Sequence, residues 1–304
     1  MRTMKRIVLA YSGSVATTAA IPWLIERHGA EVVTVTLDVG QGSELAHLRE
    51  RALAAGAVRA HVLDARDEFV RRQVLPALRS GAFADTSAFA TAAQTRPLVA
   101  RRLVDLARME SATAVAHGYR CEDPERTLFE DAVRAHEPSL EILAPACEWT
   151  LSDSQVADYA RRHGILGAPA VSEDLDANLL GRTFYGASHA YKLTRAAADA
   201  PADAAYIELE LLHGTPIRTN GVDMPVIEII ESIETIAGAH GVGRVPLEAN
   251  VVAESPAAVV LHAAYAHLAG RDADLSGIVT LKLAKGTCEV MGSRTHADAE
   301  EAVS

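Results

Sequence analysis

Aromatic residues make up only 5% of this 304-residue chain, against 49% hydrophobic residues in all, so the core must be built from Ala, Val, Leu and Ile. Cysteine is almost missing. Cys121, Cys147 and Cys288 are the three present, no two close in sequence, which excludes a metal knuckle or a CxxC redox pair and fits a reducing, cytoplasmic setting. No apolar run is long enough to span a bilayer, and the one after Met1–Arg6 stops at Tyr11 without a cleavage site. Positive charge is in deficit. A net charge of −11 repels polyanions and argues against nucleic-acid binding. It still allows a small anion held by local backbone dipoles. There is no internal repeat and no low-complexity tract.

What is present alternates. Arg6–Tyr11 reads as a buried parallel strand, a continuous apolar run halted at a Ser-Gly turn. Thr17–His28 has helical spacing, and Glu31–Val39 is a second, β-branched strand. Ser43–Ala55 is helical with Ser43 as N-cap, Arg59–Leu63 is a third strand, and Pro97–Met109 is an amphipathic helix with proline in its first turn. Thr113–His117 and Leu140–Leu143 are the fourth and fifth strands, and Ser152–His163 is a helix capped by Ser152 or Asp153. Such alternation predicts an α/β fold, a doubly wound parallel sheet covered by helices, with ligands beyond the carboxyl ends of its strands.

From Gly164 the pattern breaks. Gly164–Gly186 reads as an irregular hinge between a domain over residues 1–166 and a smaller α+β domain over 167–304. The second domain has strands at Ala205–Leu211 and Ile217–Thr219, helices at Val226–His240 and Ala257–Ala269, and strands at Gly277–Leu283 and Thr287–Gly292 about a tight turn. The tail after His296 is small and acidic and reads as frayed.

The first strand runs into Tyr11-Ser12-Gly13-Ser14-Val15-Ala16-Thr17-Thr18 and then a helix. Such a loop is an anion site by virtue of free N–H groups and the helix dipole, or simply a capped βα turn. The wider sequence resembles the argininosuccinate synthase family. Val8–Gly13 resembles its pyrophosphatase loop, Asp38–Gln41 the end of its second strand, Arg96-Pro97-Leu98 a helix start, and His117-Gly118 the opening of its nucleotide loop. Asn178-Leu179, Ala237–Arg244 and Lys282–Gly286 fall in the same order. The resemblance implies an adenine nucleotide alpha hydrolase-like fold, ATP and magnesium as cofactors, a small-molecule substrate and a homo-oligomer. It also implies an ATP-dependent ligase that adenylates the ureido oxygen of citrulline and lets aspartate displace AMP. Its nucleotide residues would be Tyr11, Ser12, Gly13, Ser14, Thr17, Thr18, Asp38, His117 and Gly118; Arg96, Asp123, Glu125, Asp176, Asn178 and Thr183 would line the substrate cleft.

The departures fall on the chemistry. The family's second loop glycine stands as Ser14 and its aspartate as Ala16, which coordinates nothing, so no catalytic residue is assigned. In the His117–Glu130 loop a cationic, glycine-rich clamp becomes acidic: the family's glycines are Cys121 and Asp123, its lysine Glu122, its Asn-Asp pair Pro124-Glu125, its substrate arginine Leu128. Glu122, Asp123 and Glu125 repel a triphosphate unless a metal intervenes, or they serve as ordinary acids at a helix start. Citrulline-contacting positions become Ala88, Ala93, Thr183, Tyr185 and Ala253. These changes argue against tight ATP binding and against citrulline.

Other candidates have two readings each. His117 could be an acid or base or a satisfied structural histidine. Cys121, beside Arg120, could be a nucleophile. Asp176 and Asn178 could line a cleft or cap a turn, and Glu248 and Glu254 could be solvated surface acids. No metal site is expected. Three functions remain: a divergent ATP-dependent ligase for a substrate other than citrulline, with a place in specialised metabolism; a pseudoenzyme that binds a ligand or partner; and argininosuccinate synthesis itself.

Overall fold

The computed structural model describes residues 5–42, 45–82, 91–149, 151–165, 174–185, 191, 193–248, 251–271 and 274–295. The chain forms two compact units: Met1–Asp38, Gly42–Ala65 and Thr95–Ser172 in the first, Val39–Gln41, Arg66–Gln94 and Glu173–Ser304 in the second. The first opens with β1 (Arg6–Ala10), α1 (Val15–His28), β2 (Glu31–Asp38), α2 (Leu45–Ala54) and β3 (Arg59–Asp64). The next stretch, α3 (Arg66–Phe69), a π-helical turn over Val70–Val74 and α4 (Leu75–Arg79), belongs to the second unit. After α5 (Thr91–Met109) the first unit resumes with β4 (Ala114–Ala116), α6 (Pro124–His136), β5 (Glu141–Leu143), α7 (Pro145–Glu148) and α8 (Asp153–Arg162).

The five strands lie in the order β3-β2-β1-β4-β5, each neighbouring pair parallel. This is the doubly wound sheet that alternation predicts. Ile7, Val8 and Leu9 are fully buried, as a strand covered on both faces requires. Ile7 and Leu9 share one core with Ile21 and Leu24 of α1 and Val156 of α8. Each large aliphatic side chain buried this way stabilises the fold by roughly 1.5–3 kcal/mol. At the amino edge of the sheet Arg6, Arg59 and His61 converge on Glu110, which is 7% exposed. Burial alone raises that carboxyl's pKa, but the cations, Arg59 foremost, outweigh it and hold it below its ordinary value.

The second unit is antiparallel. A five-stranded sheet has the order β10-β9-β8-β13-β14, where β8 is Ala205–Leu212, β9 Thr215–Thr219, β10 Val222–Asp223, β13 Gly277–Ala284 and β14 Thr287–Arg294. Ile207, Leu209 and Leu211 of β8 and Val279, Leu281 and Leu283 of β13 are fully buried, an alternation that puts one sheet face inside. The helices α9 (Val226–Ala239) and α10 (Pro256–Ala269) pack on each other and on this sheet. A smaller sheet, β11-β12-β7-β6, joins β6 (Asp174–Asn178), β7 (Gly181–Tyr185), β11 (Arg244–Glu248) and β12 (Val251–Glu254).

Three expectations change. The stretch read as an irregular hinge contains a hairpin, β6–β7, in which β6 pairs with β7 and β7 pairs in turn with β12. Pro97 lies well inside α5, which begins six residues earlier. β11 and β12 were not anticipated. Ser152, not Asp153, caps α8, in a reciprocal capping box with Gln155. Ser43 and the tail after His296 lie outside the described residues.

Candidate functional site

The parallel sheet reverses direction beside β1: the chain steps from β1 to β2 and β3, then returns to the other side for β4 and β5. A crevice opens at such a switch point, between the loops that leave β1 and β4.

The β1 loop is tied down at both ends. Tyr11 accepts from Thr36 Oγ1 through its carbonyl (2.7 Å), and its hydroxyl meets Thr18 Oγ1 (3.0 Å). Gly13 has φ +79°, the left-handed region that favours glycine, and a Cβ there would collide with Leu48. Ser14 is the N-cap of α1, accepting from Thr17 N at 3.2 Å. The hydroxyls of Ser12, Ser14 and Thr17 then form a triangle with sides of 3.2, 3.1 and 3.0 Å at the helix N-terminus. Each can donate or accept, so the triangle can turn its protons toward an oxyanion. Thr18, fully buried, donates to Ser14 O at 2.7 Å. Ala16 is half-buried and offers nothing polar.

Arg51 was not anticipated. Its guanidinium donates to Gly13 O at 2.9 Å, which brings a cation onto the loop from α2. The sequence signal was Leu48 and Arg51, three apart on the helix that follows the strand beside β1; both reach Gly13.

The β4 loop lies against the β1 loop at Gly118, where a Cβ would stand 2.5 Å from Thr17 Cγ2. His117 is 1% exposed and packs against the rings of Tyr119 and Phe129. Its Nδ1 accepts from Tyr119 N at 3.2 Å, so the ring proton sits on Nε2, 3.4 Å from Glu130 Oε1. Burial pushes its pKa down to about 4, against the pull of Glu130, which already engages Arg134 at 2.8 Å. His117 is therefore neutral at pH 7. Because its folded pKa lies below the unfolded value of about 6.5, its contribution to stability is complete above pH 6.5 and is lost as pH falls toward about 4. In a pH titration followed by imidazole NMR, His117 should stay neutral down to pH 5; a midpoint above 6 would show a solvated ring.

Asp123 caps α6, accepting from Glu125 N at 2.9 Å, and its pKa is raised, first by burial. Arg96, 7% exposed, is in ion-pair contact with Glu125. Leu128 is 58% exposed on α6. Cys121 and Cys147 form a disulfide, their Cα atoms 5.0 Å apart. The chain has no CxxC pair, and this bond joins two cysteines 26 residues apart, which spacing along the chain could not reveal. Cys121 is accordingly no free nucleophile.

Asp38 ends β2 in register with Asp64, and its carbonyl accepts from Ala65 N. Asp176, Asn178 and Thr183 belong to the second unit. Asn178 Oδ1 accepts from Leu180 N at 2.8 Å, closing the β6–β7 turn. Thr183, 1% exposed, stands opposite Ala253, which is fully buried. The side chains of Asp176, Ala93 and Glu248, and all of Ala88, lie outside the described residues. Glu254 is not a surface acid: it is 0% exposed. Among the described residues no group of three or more His, Cys, Asp or Glu is placed to hold a metal ion, and no helix is long and apolar enough to cross a membrane.

Residues 6–166 match the family model for the arginosuccinate synthase N-terminal HUP domain, and residues 175–270 that for its C-terminal domain. The chain is 36% identical to the argininosuccinate synthase of Oceanobacillus iheyensis, covering 88% of this chain and 69% of that one. It is 37% identical to those of Symbiobacterium thermophilum, covering 87% and 71%, and Synechococcus elongatus, covering 88% and 72%. With both models matched and relatives of this similarity, the chain belongs to the argininosuccinate synthase family.

Proposed function

We infer that the protein is an ATP-dependent ligase that has kept the family's nucleotide site and exchanged its substrate. The observation that carries this reading is the Ser12–Ser14–Thr17 hydroxyl triangle at the start of α1, closed by Gly118 and backed by Arg51. These groups suit a pyrophosphate. ATP would bring the adenylyl group, and magnesium, if used, would travel with the nucleotide, since among the described residues no cluster of three or more carboxylates, histidines or cysteines is placed to hold it. The chain's own part is to hold phosphate oxygens, with His117 neutral and spending no charge beside them. The substrate would be a small molecule other than citrulline, because Leu128 and Ala253 lack the groups that a ureido amino acid needs. We further infer a cytoplasmic homo-oligomer, with neither nucleic acid nor membrane as partner; the net charge of −11 supports the former exclusion.

One observation favours the alternative, a pseudoenzyme that binds a ligand or partner. Arg96 is engaged by Glu125, so a buried cation beside the crevice is already neutralised.

Calorimetry with magnesium-ATP separates the two. Saturable binding is expected, weakened at least about tenfold in Gly118→Ala, whose methyl group would press on Thr17. An absence of heat at millimolar nucleotide, with the protein folded, would leave only the pseudoenzyme.

A further inference from the structure

We propose that Arg51 is a positioning residue for phosphate, whose charge, held behind the Gly13–Ser14 peptide, makes the loop after β1 attract an anion. The inference rests on the nucleotide reading of that loop and names the side chain that supplies its charge.

The Gly13–Ser14 peptide has a different partner on each side. Its carbonyl accepts from Arg51 Nη1 at 2.9 Å, and its N–H points to Ser12 Oγ at 3.4 Å. The C=O and N–H of a trans peptide point in opposite directions, and no peptide bond among the described residues is cis. Arg51 therefore stands on one side of this peptide and the hydroxyl of Ser12, with its partners Ser14 and Thr17, on the other. An oxyanion among those hydroxyls would meet an N–H whose peptide oxygen rests on a guanidinium. A cation on the oxygen polarises the peptide and makes its N–H a stronger donor. It also holds the carbonyl, which would repel an anion, on the far side.

The charge of Arg51 is not spent elsewhere. Acidic residues outnumber basic ones in this chain, 40 to 29. Even so, among the described residues Arg51 pairs with no carboxylate, and its hydrogen bond is the one to Gly13 O. Its field reaches the loop. Burial raises the pKa of the Tyr11 hydroxyl, while the bond to Thr18 and the charge of Arg51 pull it down. Arg51 is half-buried, and Leu48, one turn before it on α2, lies against Gly13 with 8% exposure. Partial burial of this kind weakens the screening of a charge. The hydroxyls of the loop are neutral, and so is His117 at pH 7. A phosphate in the crevice would therefore owe electrostatic attraction to Arg51.

The test is calorimetry on the full chain with inorganic pyrophosphate and with magnesium-ATP, at low and at high salt, for wild type, Arg51→Lys and Arg51→Gln. Arg51→Gln should bind both ligands at least about tenfold more weakly, whereas Arg51→Lys, which keeps the charge, should lose no more than about threefold. Binding should depend less on salt in Arg51→Gln than in wild type, because the charge that salt screens has gone. A loop merely loosened by the substitution would lose affinity equally at every salt concentration. Affinity in Arg51→Gln within about twofold of wild type overturns the proposal and leaves the nucleotide reading standing. So does an unchanged salt dependence, or a loss in Arg51→Lys as large as that in Arg51→Gln. Wild type that takes up neither ligand overturns the nucleotide reading, and this inference with it.

Discussion

Citrulline, aspartate and magnesium-ATP are expected to yield argininosuccinate at no more than about a thousandth of the rate of the Oceanobacillus iheyensis relative assayed alongside, a difference of roughly 4 kcal/mol. Three positions decide it. By the resemblance, Ala16 would stand where the family has its loop aspartate, Leu128 where it has a substrate arginine, and Ala253 where it has a substrate tyrosine. Leu128 is 58% exposed, and Ala253 is fully buried with Thr183 as its strand partner. Each missing hydrogen bond weakens recognition by roughly 1–3 kcal/mol, and three together by about 3–9 kcal/mol if they add. Even the middle of that range removes several powers of ten. Pyrophosphate release and argininosuccinate formation should be followed together, since release without product would indicate adenylation of something else. A rate within tenfold of the relative would restore argininosuccinate synthesis and end the case for an exchanged substrate.

Replacing Glu254 by alanine is expected to destabilise the protein by about 3–5 kcal/mol, the largest effect of any single substitution considered. Its carboxylate is wholly buried. One oxygen accepts from Leu193 N (2.8 Å), Thr194 N (2.6 Å) and Thr194 Oγ1 (2.7 Å), while the other faces Arg182 Nε at 3.8 Å. Arg244 clasps the same threonine from its other side, through Thr194 Oγ1 and Thr194 O, and stacks over the ring of Tyr191. Truncation leaves two backbone N–H groups and a hydroxyl without an acceptor and places Arg182 near no counter-charge from β12. Glu254→Gln keeps one acceptor oxygen and should lose roughly half as much. By contrast Asp67→Ala, which removes an exposed partner of Arg71, should stay within about 0.5 kcal/mol. Denaturant unfolding measures all three. A loss under 1 kcal/mol for Glu254→Ala would mean that the two amides find other acceptors.

The strands of the first unit could be read because a parallel strand covered on both faces must be apolar throughout: Ile7–Leu9 and Val32–Val35 fit no other environment. Helix ends were legible where a side chain closes its own turn, as Ser152 does. The β1 loop was legible for a related reason, since a serine and a glycine between strand and helix leave few backbone paths. Such signals are local, and so survive in one dimension. The hairpin β6–β7 is not local. Asp174–Asn178 is largely polar, and it becomes a strand by pairing with Gly181–Tyr185, which pairs in turn with β12.

From sequence alone came the parallel α/β sheet, the family and the loop that leaves β1, because apolar period, turn chemistry and residue identity are properties of neighbours along the chain. Tertiary structure alone decided that Cys121 bonds Cys147, that Arg51 reaches Gly13, that Glu254 is buried and that Arg66–Gln94 joins the second unit. Each of these joins groups far apart in the chain, and their energies depend on burial and distance in space, which no local pattern encodes.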